Sequence, residues 1–215
     1  MLNKSEKFWD FVAKKYDKTE KQLQPIFLKI HNNIKQHLTK SDILLDYGCG
    51  TGTISIEIAN HVKEIRAIDI SAKMLEIAKR KASEHKIENV DFVQTTIFDE
   101  RFAKDSFDVI LAIGLLHLLK DNEQNIKRIA DLLKPGGLFI SSTPCLAEKM
   151  TFLTKLQFYP VFLLIKSGLI PGYMKRFKIA ELNNLVSNEN LQIIETEKIF
   201  HTLTAYYIVT KKDEK

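Results

Sequence analysis

A chain of 215 residues, 45% hydrophobic and 27% charged, is long enough to bury a full core in one domain, and its mixed composition excludes disorder. Its net charge of +5 comes mostly from lysines scattered over helix faces. The concentrated stripe with interleaved aromatics that a nucleic-acid surface needs is missing, so no nucleic-acid partner is expected.

The two cysteines, Cys49 and Cys145, fit neither a disulfide framework nor a metal spacing. Met1 to Asp10 is polar and charged, with no apolar signal segment after it. Both features point to a reducing, cytoplasmic setting.

Two amphipathic helices come first. Trp9, Val12 and Tyr16 share one helical face, and Leu23, Phe27, Ile30, Ile34 and Leu38 share another, which predicts an N-terminal helical cap over residues 1–40. A strand at Ile43, Leu44 and Leu45 then breaks at a glycine-rich turn and enters a helix carrying Ile54, Ile56, Ile58, Ala59 and Val62. A second strand, Ile65 to Ile70, contains Asp69, and Ser71 is a good N-cap for a helix with Met74, Leu75, Ala78 and Ala82. The third strand is Val90 to Gln94, followed by a loop or short helix around Phe98 to Lys104. The fourth, Phe107 to Ile113, is nearly all apolar, as expected where both faces of a parallel sheet are covered.

Asp121 and Gln124 have capping-box spacing for a helix through Ile126, Ile129 and Leu133. Lys134-Pro135-Gly136-Gly137 should stop that helix and turn into a fifth strand, Leu138 to Ser142. A last helix, Ile179 to Ser187, precedes strands Leu191 to Phe200 and Ala205 to Thr210, which can pair as a hairpin. The alternation predicts a single α/β domain over residues 1–215, a doubly wound, mostly parallel seven-stranded sheet with one antiparallel strand.

The turn Asp46-Tyr47-Gly48-Cys49-Gly50-Thr51-Gly52 carries the chemistry. Glycines at such a bend let the backbone approach a ligand, and the helix that follows offers unpaired N–H groups at its start. A dinucleotide fingerprint, Gly-x-Gly-x-x-Gly, does not fit: Gly52 comes one position early and Thr53 stands where glycine is needed. Asp46 would repel a pyrophosphate, yet it could accept hydrogen bonds from an ammonium.

The pattern Asp-x-Gly-x-Gly-x-Gly resembles the first motif of class I S-adenosylmethionine-dependent methyltransferases, whose loop wraps the methionine part of the cofactor. The element order, with Lys-Pro-Gly-Gly before strand five, extends the resemblance from about Tyr16 to Lys211. The likeness is to the small-molecule branch that includes ubiquinone and menaquinone biosynthesis. It implies a Rossmann-like methyltransferase fold, S-adenosylmethionine as cofactor and S-adenosylhomocysteine as product. Asp46, Gly48, Cys49, Gly50 and Gly52 then line the cofactor, with Cys49 a small residue that fits rather than a catalytic thiol.

Asp69 follows Gly48 by 21 residues, at the end of strand two. Open α/β sheets bind ligands beyond the carboxyl ends of their strands, and an acid at this distance is placed to accept both ribose hydroxyls. The alternative, an N-cap, is already served by Ser71. The reading requires the glycine turn and Asp69 to face one adenosyl-sized crevice.

By resemblance, Ile70 and Met74 pack against adenine, Met74 being equally suited to the core. Thr96 and Ile97 match the family's adenine-binding acid and the residue whose backbone reads the ring. Thr96 departs from the pattern, and Asp99 stands three positions late as a substitute. Ile113 and Gly114 match the backbone that contacts the methionine moiety.

Methyl transfer from a sulfonium depends mostly on positioning the nucleophile and excluding water, and a base is needed only if the acceptor keeps its proton. The candidates are His117, among leucines where a structural role is also open, and then Tyr16. Tyr16 resembles the N-terminal tyrosine that closes over the site in some small-molecule methyltransferases, or else simply packs the first helix. No histidine–carboxylate cluster has metal-ligand spacing, so no metal is expected.

Residues 146–178 match nothing assignable and read as an apolar, basic lid insertion. Lys149, Lys155, Lys166, Lys175, Arg176 and Lys178 frame apolar runs from Leu156 to Ile165 and from Gly168 to Met174, with no acid between 149 and 178. Three readings stay open: a lid around an apolar acceptor, a membrane-peripheral contact with an anionic surface, and a helical pair that completes the core or a dimer interface. A small hydrophobic acceptor, such as a lipid or quinone precursor, is the leading expectation. An RNA methyltransferase or a non-catalytic S-adenosylmethionine-binding protein are the alternatives, although no added RNA-binding module and no Asn-Pro-Pro-Tyr-like motif are present.

Overall fold

In the computed structural model, which describes residues 4–167, 173–187 and 190–214, seven strands make one sheet. They are β1 (Ile43–Tyr47), β2 (Glu64–Asp69), β3 (Val90–Gln94), β4 (Phe107–Ile113), β5 (Leu133–Pro144), β6 (Leu191–Phe200) and β7 (Thr204–Lys212). Their order is β3-β2-β1-β4-β5-β7-β6. All neighbours pair in parallel up to β5, and β7 runs antiparallel to both β5 and β6. The late hairpin expected from the sequence therefore forms, with its second strand inserted between β5 and β6.

The strands alternate their side chains between two cores. Leu44, Val109, Leu111, Ile140, Tyr207 and Val209 face one side. There they meet Ile30 and Ile34 of α2 (Gln24–Lys35), Ile54 and Ile58 of α3 (Thr53–Ile58), and Leu75 and Ala78 of α4 (Ala72–Glu84). Leu45, Ile110, Ala112, Phe139, Tyr206 and Ile208 face the other side. They pack on Ile126 and Ile129 of α5 (Asn122–Leu132) and on Leu182 and Val186 of α7 (Ile179–Val186). Each fully buried side chain of this size contributes about 1.5–3 kcal/mol, so the sheet is held from both faces, as the apolar run of β4 requires.

The sequence order reverses between β1 and β4, the place where an open α/β sheet leaves a crevice at its carboxyl edge. The glycine turn leaves β1 at that edge. The remaining helices, α1 (Lys4–Gln22) and α6 (Phe152–Lys166), stand outside the two cores.

Four local expectations need correction. The Asp121 side chain makes no cap hydrogen bond, so the capping box is absent; instead Asn125 Nδ2 donates to the Asp121 carbonyl, and Asn122 Nδ2 to that of Leu119. Lys134 to Gly137 do not separate α5 from β5: the strand starts at Leu133, which pairs with Phe107, and a register shift before Val109 absorbs the extra residues. The helix after the glycine turn ends at Ile58 and continues only as a 3-10 turn, Ala59–His61. In α1 the fully buried side chain is Ala13, whereas Trp9, Val12 and Tyr16 are only partly covered. Part of the second apolar run, Gly168 to Gly172, lies outside the described residues.

Candidate active site

The glycine turn is folded back over the end of β2. The N–H groups of Gly48 and Cys49 both donate to the Ile68 carbonyl, at 2.8 and 3.0 Å. Gly48, Gly50 and Gly52 all have positive φ, +75°, +55° and +74°. At Gly52 a Cβ would lie 2.9 Å from both the Ala78 Cβ and the Phe92 ring. Only glycine allows that backbone shape with helix α4 and strand β3 so close.

Asp69 is tied into the same turn. One of its oxygens accepts the Gly50 N–H at 3.0 Å, and the other accepts the Ser71 N–H at 2.8 Å. Burial pushes its carboxyl above the usual carboxylate value, against the pull of these backbone donors. Ser71 caps α4 as expected, its Oγ accepting from Met74 N at 3.1 Å.

Asp46 is 2% exposed. It accepts a single hydroxyl bond, from Ser55 Oγ at 2.5 Å. Desolvation raises its pKa to about 6, Ser55 opposes the shift, and Asp69 adds to it. A buried carboxylate with one neutral donor is short of a positive charge.

Helix α1 lies across this group and is pinned by its own acids. Ser71 Oγ and Lys73 N donate to Asp10 Oδ1 at 2.6 and 3.1 Å, Thr51 Oγ1 donates to Asp17 Oδ1 at 2.6 Å, and Thr53 Oγ1 donates to Glu20 Oε2 at 2.8 Å. Tyr16 sits over Gly50, its ring 3.5 Å from where a Cβ would be. Tyr16, Glu20, Phe27, Asp46, Gly48, Cys49, Thr53 and Ile113 are among the residues enclosing a cavity of only about 20 Å³, room for little more than one water molecule. The turn and Asp69 thus converge through the Gly50 N–H, and beside the turn Tyr16 and Glu20 of α1, with Phe27, leave only this small space.

A family model for the methyltransferase domain matches residues 38–197. This chain belongs to the class I S-adenosylmethionine-dependent methyltransferases. The ubiquinone biosynthesis O-methyltransferase of Coxiella burnetii is 30% identical over 185 residues, covering 84% of this chain and 76% of that protein. Among solved structures, the YcgJ protein of Bacillus subtilis superposes with a TM-score of 0.70 at 18% identity, covering 87% of this chain and 99% of that one. A SAM-dependent methyltransferase from Methanosarcina mazei gives 0.65 at 20%, covering 85% and 97%.

The other candidate residues of this methyltransferase are spread along the same edge. Ile70 is half-buried, and its carbonyl accepts from Gln94 Nε2 at 3.0 Å. Met74 and Ile97 are buried, whereas Thr96 is exposed. Asp99 is committed elsewhere: Thr95 Oγ1 donates to it and Arg101 pairs with it, holding its carboxyl far below the usual range. That leaves it a poor substitute for the family's adenine acid. Arg128, which the sequence reading missed, donates to the carbonyls of Ile97, Asp99 and Phe102 and so fixes the loop after β3.

Gly114 has a φ of +67° and donates its N–H to Ser142 O, with open space beside its Cα. His117 follows in a 3-10 turn, and its carbonyl accepts the Lys175 N–H at 2.7 Å. Desolvation lowers the imidazole pKa to about 4, and its Nδ1 is buried without a hydrogen-bond partner. Burial, then the nearby carboxylates of Glu20, Asp69, Asp17 and Asp46, drive the Tyr16 phenol well above its ordinary pKa of 10. A phenol that holds its proton so firmly is a weak candidate for a general base. The Cys49 thiol is likewise pushed far up by burial, in keeping with a packing role. Among the described residues no three histidines, cysteines or acids group as a metal site, and no helix is long and apolar enough to cross a membrane.

Proposed function

We propose that this enzyme binds S-adenosylmethionine on the β1 turn and methylates a small hydrophobic acceptor, with a phenol or similar hydroxyl leading. The observation that carries the cofactor reading is the pair of desolvated carboxylates, Asp46 and Asp69, flanking one glycine turn. A buried acid short of positive charge suits an ammonium, so Asp46 would receive the amino-acid end. Asp69 would keep acceptor capacity beyond its backbone donors for the ribose hydroxyls. Ile113 and Gly114 would lie along the methionine portion, and Ile70, Met74, Thr96 and Ile97 around the base. When bound there, the cofactor would supply a sulfonium methyl, with the neutral thioether of S-adenosylhomocysteine as leaving group.

What remains for the protein is to orient the acceptor and exclude water. Tyr16 covers the turn with a neutral phenol that can donate but not abstract. His117, neutral at working pH, offers an acceptor nitrogen for a hydroxyl proton. With a pKa of about 4 it suits a proton that becomes acidic only as the oxygen is methylated. The acceptor class is supported by the name of the Coxiella burnetii relative and by the apolar side chains at the turn, Ile113 lining the cavity and Leu115 packing beside Gly48.

The test is turnover with S-adenosylmethionine on phenols bearing alkyl or prenyl tails, against amines, carboxylates and total RNA. Methylation of the tailed phenols supports the reading. Methylation of RNA, or cofactor binding without turnover on any class, overturns it in favour of an RNA enzyme or a non-catalytic binder.

A further inference from the structure

The most unusual surface outside the site is helix α6. Phe152, Leu153, Leu156, Tyr159, Leu163 and Leu164 are between 37% and 78% exposed. At 3.6 residues per turn they fall within an arc of about 140°, a single face. The opposite side carries buried Thr154 and the half-buried Phe162 and Ile165. This stripe therefore points outward, the reverse of a helix that completes a core. The helix has 15 residues, too few to span a bilayer.

Its surroundings are basic. Lys149 and Lys155 are exposed at its N-terminal end, and Arg176 stands beside it with its guanidinium 5.5 Å from the Phe162 ring. Lys149 lies 5.4 Å from the ring of Phe200, another exposed aromatic. No acid occurs from residue 149 to 178. An apolar face with a cationic rim, in a run that holds no acid of its own, complements a surface that is greasy beneath and negative on top.

The helix is also tied to the edge that bears the site. Thr151 N–H donates to Thr202 O, Met150 bridges Leu203, and Lys175 N–H donates to the His117 carbonyl.

We propose that the outward face of α6 docks this methyltransferase on an anionic lipid bilayer, with the carboxyl edge of its sheet toward the membrane. The leucines, Phe152 and Tyr159 enter the acyl boundary, and Lys149, Lys155, Arg176 and Lys178 meet the headgroups. The choice of a bilayer over a protein partner rests on the hydrophobic-acceptor reading, since such an acceptor would be drawn from lipid.

The experiment sediments the full chain with vesicles of phosphatidylcholine alone and with phosphatidylglycerol added, at low and high salt. Binding to the anionic vesicles that weakens with salt is expected, with little on the neutral ones. The double variant Leu156→Asp/Leu163→Asp should lower the partition roughly tenfold or more, and Lys149→Glu/Lys155→Glu should remove the anionic preference. Both should keep wild-type cofactor affinity and thermal midpoint. Equal partition to both vesicle types, binding to neither, or unchanged binding by the leucine variant overturns the proposal. So does a wild-type dimer that the leucine variant converts to monomer, which would assign the face to a second copy. Turnover on a short-tailed, water-soluble phenol is measured in parallel. Its absence with vesicle binding intact rejects the acceptor reading alone, and its presence without vesicle binding rejects the docking alone.

Discussion

The backbone N–H of Gly50 and the carboxylate of Asp69 lie 3.0 Å apart, and the second oxygen of that carboxylate holds the Ser71 N–H. One side chain thus sets the glycine turn against the start of α4. Hydrogen bonds to a charged group contribute about 1.5–3 kcal/mol each, so losing two to ribose hydroxyls weakens binding by roughly a hundredfold or more. Asp69→Ala should raise the dissociation constant for S-adenosylhomocysteine by that factor in calorimetry, while circular dichroism shows a folded protein. The two freed N–H groups should also lower stability by about 1–3 kcal/mol. An unchanged affinity would remove Asp69 from the cofactor site.

If Asp46 receives the cofactor's ammonium, as proposed, that affinity should depend on pH. Its folded pKa of about 6 stands above the usual 3.8, so the ligand-free fold takes up a proton there. The stability this contributes is complete below about pH 4 and is lost as pH rises through 6. His117 runs the other way: its pKa of about 4 against a usual 6.5 gives stability that is present above 6.5 and lost as pH falls through 4. A cationic ligand group requires the Asp46 carboxylate, so cofactor binding should weaken as pH falls below 6 and release a proton near that pH. Calorimetry in two buffers of different ionisation enthalpy measures the release. Asp46→Asn should abolish it and flatten the profile on this limb.

Much of the site could be read in the chain because it is built from neighbours. The strand, the bend at Gly48 to Gly52, the helix beginning at Thr53 and the acid at the end of β2 are consecutive patterns, and their geometry is local. The resemblance of Tyr16 to a tyrosine that closes over the site was legible, but the acid clasp that pins α1 was not. Asp10, Asp17 and Glu20 look like a solvated face, and their partners Ser71, Thr51 and Thr53 lie 61, 34 and 33 residues away. The acids at that helical spacing were the available signal. The outward stripe of α6 was hidden for a related reason: the run is apolar almost throughout, so its period could not say which side meets water. The hairpin was visible, but the insertion of β7 beside β5 is a tertiary choice that no local pattern encodes.

The packing at Gly52 gives a stability test independent of any ligand. With φ at +74° and Ala78 and Phe92 both 2.9 Å from the place an added methyl would take, Gly52→Ala combines backbone strain with overpacking. Each costs about 1–3 kcal/mol. Gly114→Ala shares the positive φ, +67°, but meets nothing within 4 Å, so only the strain remains. Urea unfolding should therefore place Gly52→Ala clearly below Gly114→Ala. Equal midpoints would mean that α4 and β3 can retreat from the turn.

The carboxylate clasp of α1 is expected to set how often the site opens. The space beside the turn is about 20 Å³ with Tyr16 and Glu20 of α1 over it, so the expectation is that an adenosyl ligand enters when α1 lifts. Its apparent affinity is then reduced by the fraction of time the helix is away. The bonds from Ser71, Lys73, Thr51 and Thr53 to Asp10, Asp17 and Glu20 are polar and partly solvated, each contributing about 0.5–1.5 kcal/mol, or more where charged. Asp10→Asn/Asp17→Asn/Glu20→Gln should therefore release the helix without touching either core. Amide exchange across residues 4–22 should quicken while β1 and β4 stay protected, and stopped-flow association of S-adenosylhomocysteine should accelerate by roughly tenfold, the effect of about 1.4 kcal/mol. Exchange that quickens with no change in association would show that the cofactor enters by another route. Exchange that does not quicken would mean that Ala13 and the Tyr16 ring, rather than the acids, hold α1 down.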